Sequence, residues 1–152
     1  MEMHAKSYCR LTLLMFVVFI VLPLMTACSP EVESRSQVHK DLKEVMEKRK
    51  QAIHNKDINA YKKLFLPEYM DGGVDYQTLM LEMESQFSAF ETIEFDYVKN
   101  PMNFTMNTAR MVSMISYKTN SMEKPVHHHE KTIFRRVNGQ WLISGGVAIG
   151  LF

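Results

Sequence analysis

Three consecutive histidines, His127, His128 and His129, followed by Glu130, are the residues most suited to proton transfer or metal binding. Imidazole exchanges protons near neutral pH and is a common metal ligand. Successive residues of a strand point to opposite faces of a sheet, so one ion cannot readily collect all three rings. His127 and His129 share a face, but the sequence supplies no third ligand for them. We therefore predict the start of a solvated strand here, with no metal site and no cofactor.

The turn after this segment predicts which of these side chains point inward. Asn138-Gly139 lies between two apolar-alternating segments, and Asn-Gly favours a type I′ hairpin because both positions tolerate a positive φ. That turn places His128 and Glu130 on the same face as Trp141, which is apolar and should be covered by helices. A β-bulge would reverse the assignment. The predicted partners are Val137 with Gln140, Arg136 with Trp141, Phe134 with Ile143, Thr132 with Gly145, Glu130 with Val147 and His128 with Ile149.

An inward His beside an inward Glu could bind a polar ligand group or transfer a proton. Acid–base enzymes usually need two or three polar groups that converge in an apolar pocket, and the sequence places no inward Asp. It also contains no Ser-centred elbow, phosphate-binding loop or zinc spacing. We therefore assign no catalytic residue. The candidate pocket residues are His128, Glu130, Tyr61 and Tyr76.

Methionine is abundant, with 13 in the whole chain. Met80 and Met83 lie on one predicted helix face, whereas Met111 and Met114 are three apart on a predicted strand and face opposite ways. Thioether sulfur suits Cu(I), so metal handling through Met and His is one alternative. Core filling by a flexible side chain explains the same residues, and we favour it.

Cys28 is a candidate for lipid attachment. It follows an apolar run, 11–27, that is preceded by Lys6 and Arg10, which is the pattern of an export signal. The Cys after Thr26-Ala27 resembles the bacterial lipoprotein box, although Met25 stands where Leu is usual. An uncleaved anchor is the alternative, but a span needs roughly 20 apolar residues. We predict a signal peptide over 1–27 and lipidation of Cys28.

These predictions define the cellular location of the protein and argue against a nucleic-acid partner. Residues 28–36 are a lipidated flexible tether and 37–152 a single domain, held at a membrane in the cell envelope and facing the periplasm or the exterior. Ser29, not Asp, follows Cys28, which predicts the outer membrane in a Gram-negative cell. Without residues 1–27 the chain has equal numbers of basic and acidic residues, so we expect no nucleic-acid partner.

The apolar periodicity predicts three helices followed by antiparallel strands. The first helix runs to His54 and is capped by Ser36; the second runs from a cap at Asp57 to Phe65, and the third from Asp75 to Phe90. This order predicts an α+β domain, with three N-terminal helices packed on one face of a curved antiparallel sheet over 92–151. The buried stripe of the first helix is Val38, Leu42, Val45, Met46, Arg49 and Ile53. The predicted strands are Ile93–Tyr97, Met102–Met106 after a turn at Asn100-Pro101, Ala109–Thr119, Val126–Val137 and Gln140–Leu151.

This arrangement over residues 38–151 resembles the nuclear transport factor 2-like superfamily, a cone-shaped α+β fold. The segments that carry the resemblance are 55–65 (NKDINAYKKLF) and 134–143 (FRRVNGQWLI). The resemblance implies a ligand site at the open end of the cone and a homodimer formed through the sheet. It leaves the activity open, because the superfamily holds isomerases, dehydratases, hydrolases, transport factors and domains of no known activity.

Three functions fit these observations. We favour a non-catalytic envelope lipoprotein domain that binds a small ligand or a protein partner. The first alternative is an isomerase- or dehydratase-like enzyme that uses the inward His128 and Glu130. The second is periplasmic metal handling through Met and His.

Overall fold

The computed structural model describes residues 34–147. Residues 1–33 and 148–152 lie outside the described residues, and with them the predicted signal peptide, Cys28 and Ile149. Within the described part, three helices accompany a two-stranded and a four-stranded antiparallel sheet, the latter in the order β3-β4-β5-β6. This is the predicted α+β class, with helices on a curved sheet. The elements are α1 Arg35–His54, α2 Ile58–Lys62, β1 Met70–Asp71, β2 Val74–Asp75, α3 Tyr76–Ala89, β3 Ile93–Phe104, β4 Thr108–Thr119, β5 Val126–Val137 and β6 Gln140–Gly145.

Helix α1 buries the stripe that its sequence predicts. Apolar residues three and four apart face the sheet, and every predicted member of the stripe is buried, Arg49 included. The prediction of Ser36 as the cap is wrong, because the helix already includes Arg35. The Arg35 guanidinium lies 5.9 Å from the centre of the Phe104 ring of β3, within the range of a cation–π contact.

Aspartate caps begin the other two helices, of which Asp57 was predicted as a cap and Asp75 as the start of the third helix. The Asp57 carboxylate accepts a hydrogen bond from the Ala60 amide, and the Asp75 carboxylate accepts one from the Thr78 amide. Helix α2 ends at Lys62 rather than Phe65. The chain beyond it pairs with β6 instead, since the Leu66 amide donates to the Ile143 carbonyl and the Ile143 amide donates to the Leu64 carbonyl.

Strand β3 is continuous where the sequence predicts a turn at Asn100-Pro101. Its pairing with β4 shifts register between Lys99 and Met102, so the extra residue is absorbed by a bulge. Pro lacks an amide donor and is tolerated at bulges and on edge strands, and β3 is an edge strand of the sheet. The predicted turn is therefore wrong, and Met102 belongs to the same strand as Ile93.

The β5–β6 hairpin confirms the predicted register near its turn and departs from it further out. Phe134 pairs with Ile143 as predicted, but Ile133, not Thr132, then pairs with Gly145. The extra residue of this bulge lies on β6, so the alternation of β5 is unbroken. Glu130 and Thr132 are buried, whereas His127, His129 and Lys131 are exposed.

Gly146 follows the bulge with φ +79°. A Cβ atom at this position would lie 1.6 Å from the Lys131 carbonyl oxygen, so only glycine allows the two backbones to approach this closely.

The core lies between the helices and the concave side of the sheet. Its large buried side chains include Leu42, Phe87, Phe134, Trp141 and Ile143. Among residues 34–147, no helix is both long enough and apolar enough to cross a membrane.

Candidate functional site

A buried ion pair joins the first helix to the middle of the sheet. Arg49 Nη1 lies 2.5 Å from Glu130 Oε1, and Arg49 Nη2 lies 2.9 Å from Glu130 Oε2. The two side chains are 1% and 0% exposed. The contact is therefore bidentate, the geometry in which guanidinium and carboxylate bind most strongly.

The secondary structure explains how two residues 81 positions apart meet. Arg49 lies on the buried stripe of α1, one turn after Met46. Glu130 alternates with Thr132 and Phe134 on the concave face of β5, and Ser113 of β4 is its direct cross-strand neighbour. When α1 packs across the sheet, the guanidinium meets the carboxylate inside the core.

Neighbouring side chains complete the surroundings of the pair. The Thr132 hydroxyl donates a hydrogen bond of 2.8 Å to Glu130 Oε1, and the Arg49 guanidinium carbon lies 5.1 Å from the centre of the Phe95 ring. Ring and cation attract each other at this distance. The carboxylate and the guanidinium are thus each held on more than one side.

Electrostatics keep the guanidinium charged. Burial is the largest single influence and acts to lower the pKa of Arg49, but the charge and hydrogen bonds of Glu130, together with Tyr61, outweigh it, so the pKa is raised. The buried Tyr61 side chain lies beside this pair; burial raises the pKa of its hydroxyl, and the positive charge of Arg49 opposes part of that rise. Both residues therefore keep their ordinary protonation states at neutral pH.

Several buried polar atoms on the inner side of the domain have no hydrogen-bond partner among the described residues. They are Arg49 Nε, Tyr61 Oη, Ser113 Oγ and His128 Nε2. Buried polar groups are usually satisfied by protein or by water, so this part of the cone interior is more polar than a sealed apolar core.

The structure separates the predicted pocket residues. Tyr61 and Glu130 come together around Arg49, whereas His128 is half-buried and stacks edge-on against Tyr117, with ring centres 6.0 Å apart. Both carboxylate oxygens of Glu130 accept hydrogen bonds from Arg49, a partner that the sequence analysis did not name. Tyr76 lines a surface hollow of about 390 Å³ with Lys62, Gln77, Met80, Leu81 and Glu84, away from the pair.

Arg49 is the residue whose role sequence reasoning missed. Its position on an apolar stripe was the available signal, because a fully buried arginine requires a buried partner. The predicted inward orientation of Glu130 offered a candidate for that partner. Because Arg49 and Glu130 lie on different elements, predicting their contact requires knowing where α1 crosses the sheet.

The carboxylate of Glu130 is bound on several sides. The carboxylate is fully buried and held by two donors from Arg49 and one from Thr132. Among residues 34–147, no group of three or more His, Cys, Asp and Glu side chains is placed to hold a metal ion.

The comparisons with known proteins identify the fold. No family model and no curated protein matches the sequence. Among solved structures, Bd1075 from Bdellovibrio bacteriovorus is similar at 16% identity and a TM-score of 0.66, over 78% of this chain and 44% of that one. An NTF2-like protein of unknown function from Pseudomonas putida KT2440 is similar at 12% identity and a TM-score of 0.64, over 74% and 86% of the two chains.

A third similar structure carries the name of an activity. It is a candidate dehydratase of the NTF2-like family from Streptomyces avermitilis, with 13% identity and a TM-score of 0.61, over 74% of this chain and 95% of that one. At such low identity the likeness shows the fold alone. The domain has the nuclear transport factor 2-like fold, as the sequence predicted. This chain spans less than half of the Bdellovibrio protein's length.

Proposed function

We propose that this protein is an envelope lipoprotein, anchored through Cys28, whose NTF2-like domain binds a small ligand or a protein partner without catalysing a reaction. The observation that carries the non-catalytic part is the Arg49–Glu130 pair. Glu130 is the inward carboxylate on which an acid–base mechanism would depend, and Arg49 occupies both of its oxygens.

A general base must be free to reach the proton that it removes. The side chain of Glu130 is 0% exposed, and Thr132 donates a further hydrogen bond to it. Of the predicted set, His128 and the hydroxyl of Tyr61 then remain as inward acid–base candidates. His128 lies near the end of β5 away from the hairpin turn, beside Tyr117, whereas Tyr61 lies beside the ion pair. Without a free carboxylate, these groups fall short of the converging set that an isomerase or dehydratase needs.

Unfolding measurements distinguish a structural pair from a catalytic one without a known substrate. Removing one partner of a buried ion pair typically costs about 3–5 kcal/mol, whereas an apolar replacement of both partners is often close to neutral. We therefore expect Glu130→Gln and Arg49→Met each to lower the free energy of unfolding strongly. The double variant Arg49→Met/Glu130→Leu should regain much of the loss. Urea denaturation measures all three.

The matched control is the exposed pair of Glu44 and Lys48, 2.7 Å apart with both side chains 57% exposed. Glu44→Gln should change stability by less than about 1 kcal/mol. Residues kept for activity often reduce stability, so that replacing them stabilises the fold. Single substitutions of Arg49 or Glu130 that stabilise the protein would contradict the structural role and favour catalysis.

Lipid attachment is tested by labelling cells with a fatty acid that carries a chemical tag. We expect label on the wild-type protein and on Cys9→Ser, because residue 9 lies inside the predicted signal peptide, but none on Cys28→Ser. The attached chains would give firm membrane binding, since two or more acyl chains anchor stably where one is marginal. Equal labelling of Cys28→Ser and wild type would exclude Cys28 as the lipidated residue.

A further inference from the structure

The outer face of the sheet adds a third side chain to the two histidines that the sequence already places on one face. His127 and His129 are both exposed on β5, and His128 between them points to the other face. Strand β4 supplies a neighbour: Met114, 41% exposed, is the direct cross-strand partner of His129. Directly opposite residues point to the same face of a sheet.

We propose that His127, His129 and Met114 bind Cu(I) on this outer face. Imidazole nitrogen and thioether sulfur together suit copper, and thioether in particular selects its reduced form. The spacing allows one ion to reach all three residues. Opposite Cβ atoms are about 5 Å apart, and residues two apart along a strand are separated by roughly 7 Å. The flexible Met side chain can adjust to the remaining distance.

The charges around this site favour a monovalent ion. All three ligands are neutral when they bind, and Ser116, the cross-strand partner of His127, adds no charge. Lys131 follows His129 on the same exposed face. Its positive charge opposes a divalent ion more than a monovalent one. Asp96, the cross-strand partner of Ser116, is paired with Lys50 at 2.9 Å, so its negative charge is already balanced.

The test is a competition titration of Cu(I) against a chromophoric chelator under reducing conditions. The full-length protein is used in detergent and carries Cys9→Ser and Cys28→Ser, so that no thiol competes and lipidation has no influence. This parent should bind about one more copper ion per chain than its His127→Ala/His129→Ala variant. Met114→Leu should lower the Cu(I) affinity at least about tenfold, since loss of even an outer-shell partner of a metal costs 10–100-fold.

Two matched controls separate this site from general copper binding by His and Met. His128→Asn changes the inward histidine of the same run, and Met106→Leu changes a methionine that is 82% exposed elsewhere; both should leave copper binding unchanged. Copper X-ray absorption should show a sulfur ligand in the parent and none from this site in Met114→Leu. Equal binding by the parent and the double histidine variant, or an equal loss in His128→Asn, would overturn the site. Unchanged Cu(I) affinity in Met114→Leu would overturn its assignment to reduced copper.

Discussion

Arg49 shows how far a single residue can be predicted from its neighbours in the sequence. Its spacing from Leu42 and Met46 places it on the buried face of α1, and burial is what the structure shows. The hairpin turn likewise predicts that Glu130 points inward. Their bidentate contact depends on how α1 crosses the sheet, which local periodicity does not specify. The sequence therefore suggested His128, two residues away on β5, as the partner of Glu130 and did not suggest Arg49.

The Tyr69 hydroxyl shows how burial of a single titratable group links stability to pH. Its side chain is buried and donates a hydrogen bond of 3.3 Å to the Val147 carbonyl. Burial is the main cause that raises its pKa from 10.0 to about 12. Because the folded protein favours the neutral hydroxyl more than the unfolded chain does, Tyr69 contributes stability that is fully present below pH 10. It is lost as the pH rises through 10 towards 12.

We therefore expect Tyr69→Phe to unfold with a weaker pH dependence than wild type between pH 10 and 12. At pH 9 the variant should be less stable, because it lacks the hydrogen bond to Val147. Urea midpoints measured across this range give both quantities. Burial also raises the pKa values of Tyr61, Tyr97 and Tyr117, so some alkaline sensitivity should remain. Identical slopes for variant and wild type would show that Tyr69 titrates alike in the folded and unfolded chains.

At the scale of elements, the errors lie where backbone irregularities interrupt a regular pattern. The Asn138-Gly139 turn correctly predicts the first pairs of the β5–β6 hairpin, since its residues require a type I′ geometry. The bulge beyond Phe134 was anticipated only as a risk, because Ser144 and Gly145 carry little information about which face they occupy. In β3, Pro101 is typical both of a turn and of an edge-strand bulge, and the sequence does not distinguish them.

Comparing alanine substitutions at Gly146 and Gly139 separates the stability cost of a strained backbone from that of a close contact. Both have positive φ, +79° and +81°, but a Cβ atom at Gly139 would meet nothing within 4 Å. Gly139→Ala should therefore cost only the roughly 1–2 kcal/mol of a left-handed conformation. Gly146→Ala should cost clearly more, because its methyl group overlaps the Lys131 carbonyl. Chemical denaturation of both variants gives the comparison, and equal losses would show that the backbones separate easily.

At the scale of the whole molecule, the order of elements was sufficient to predict the fold. Helices with a period of 3.6 followed by strands with a period of 2 leave few compact arrangements, and a covered antiparallel sheet is one of them. Function was less accessible, because it depends on a few contacts between distant segments. Met114 and His129 illustrate this: strand pairing makes them neighbours, although they are 15 positions apart and the loop between β4 and β5 separates them.

The ion pair inside the cone also has a consequence for how the chain reaches this shape. The stripe of α1 repeats nearly every turn, so apolar contacts alone would tolerate a slip of the helix by one turn along the sheet. Such a slip would bury Glu130 opposite an aliphatic side chain and leave two charges without partners, a loss of several kcal/mol. We therefore expect the pair to favour the alignment of helix and sheet that the structure shows over slipped alignments.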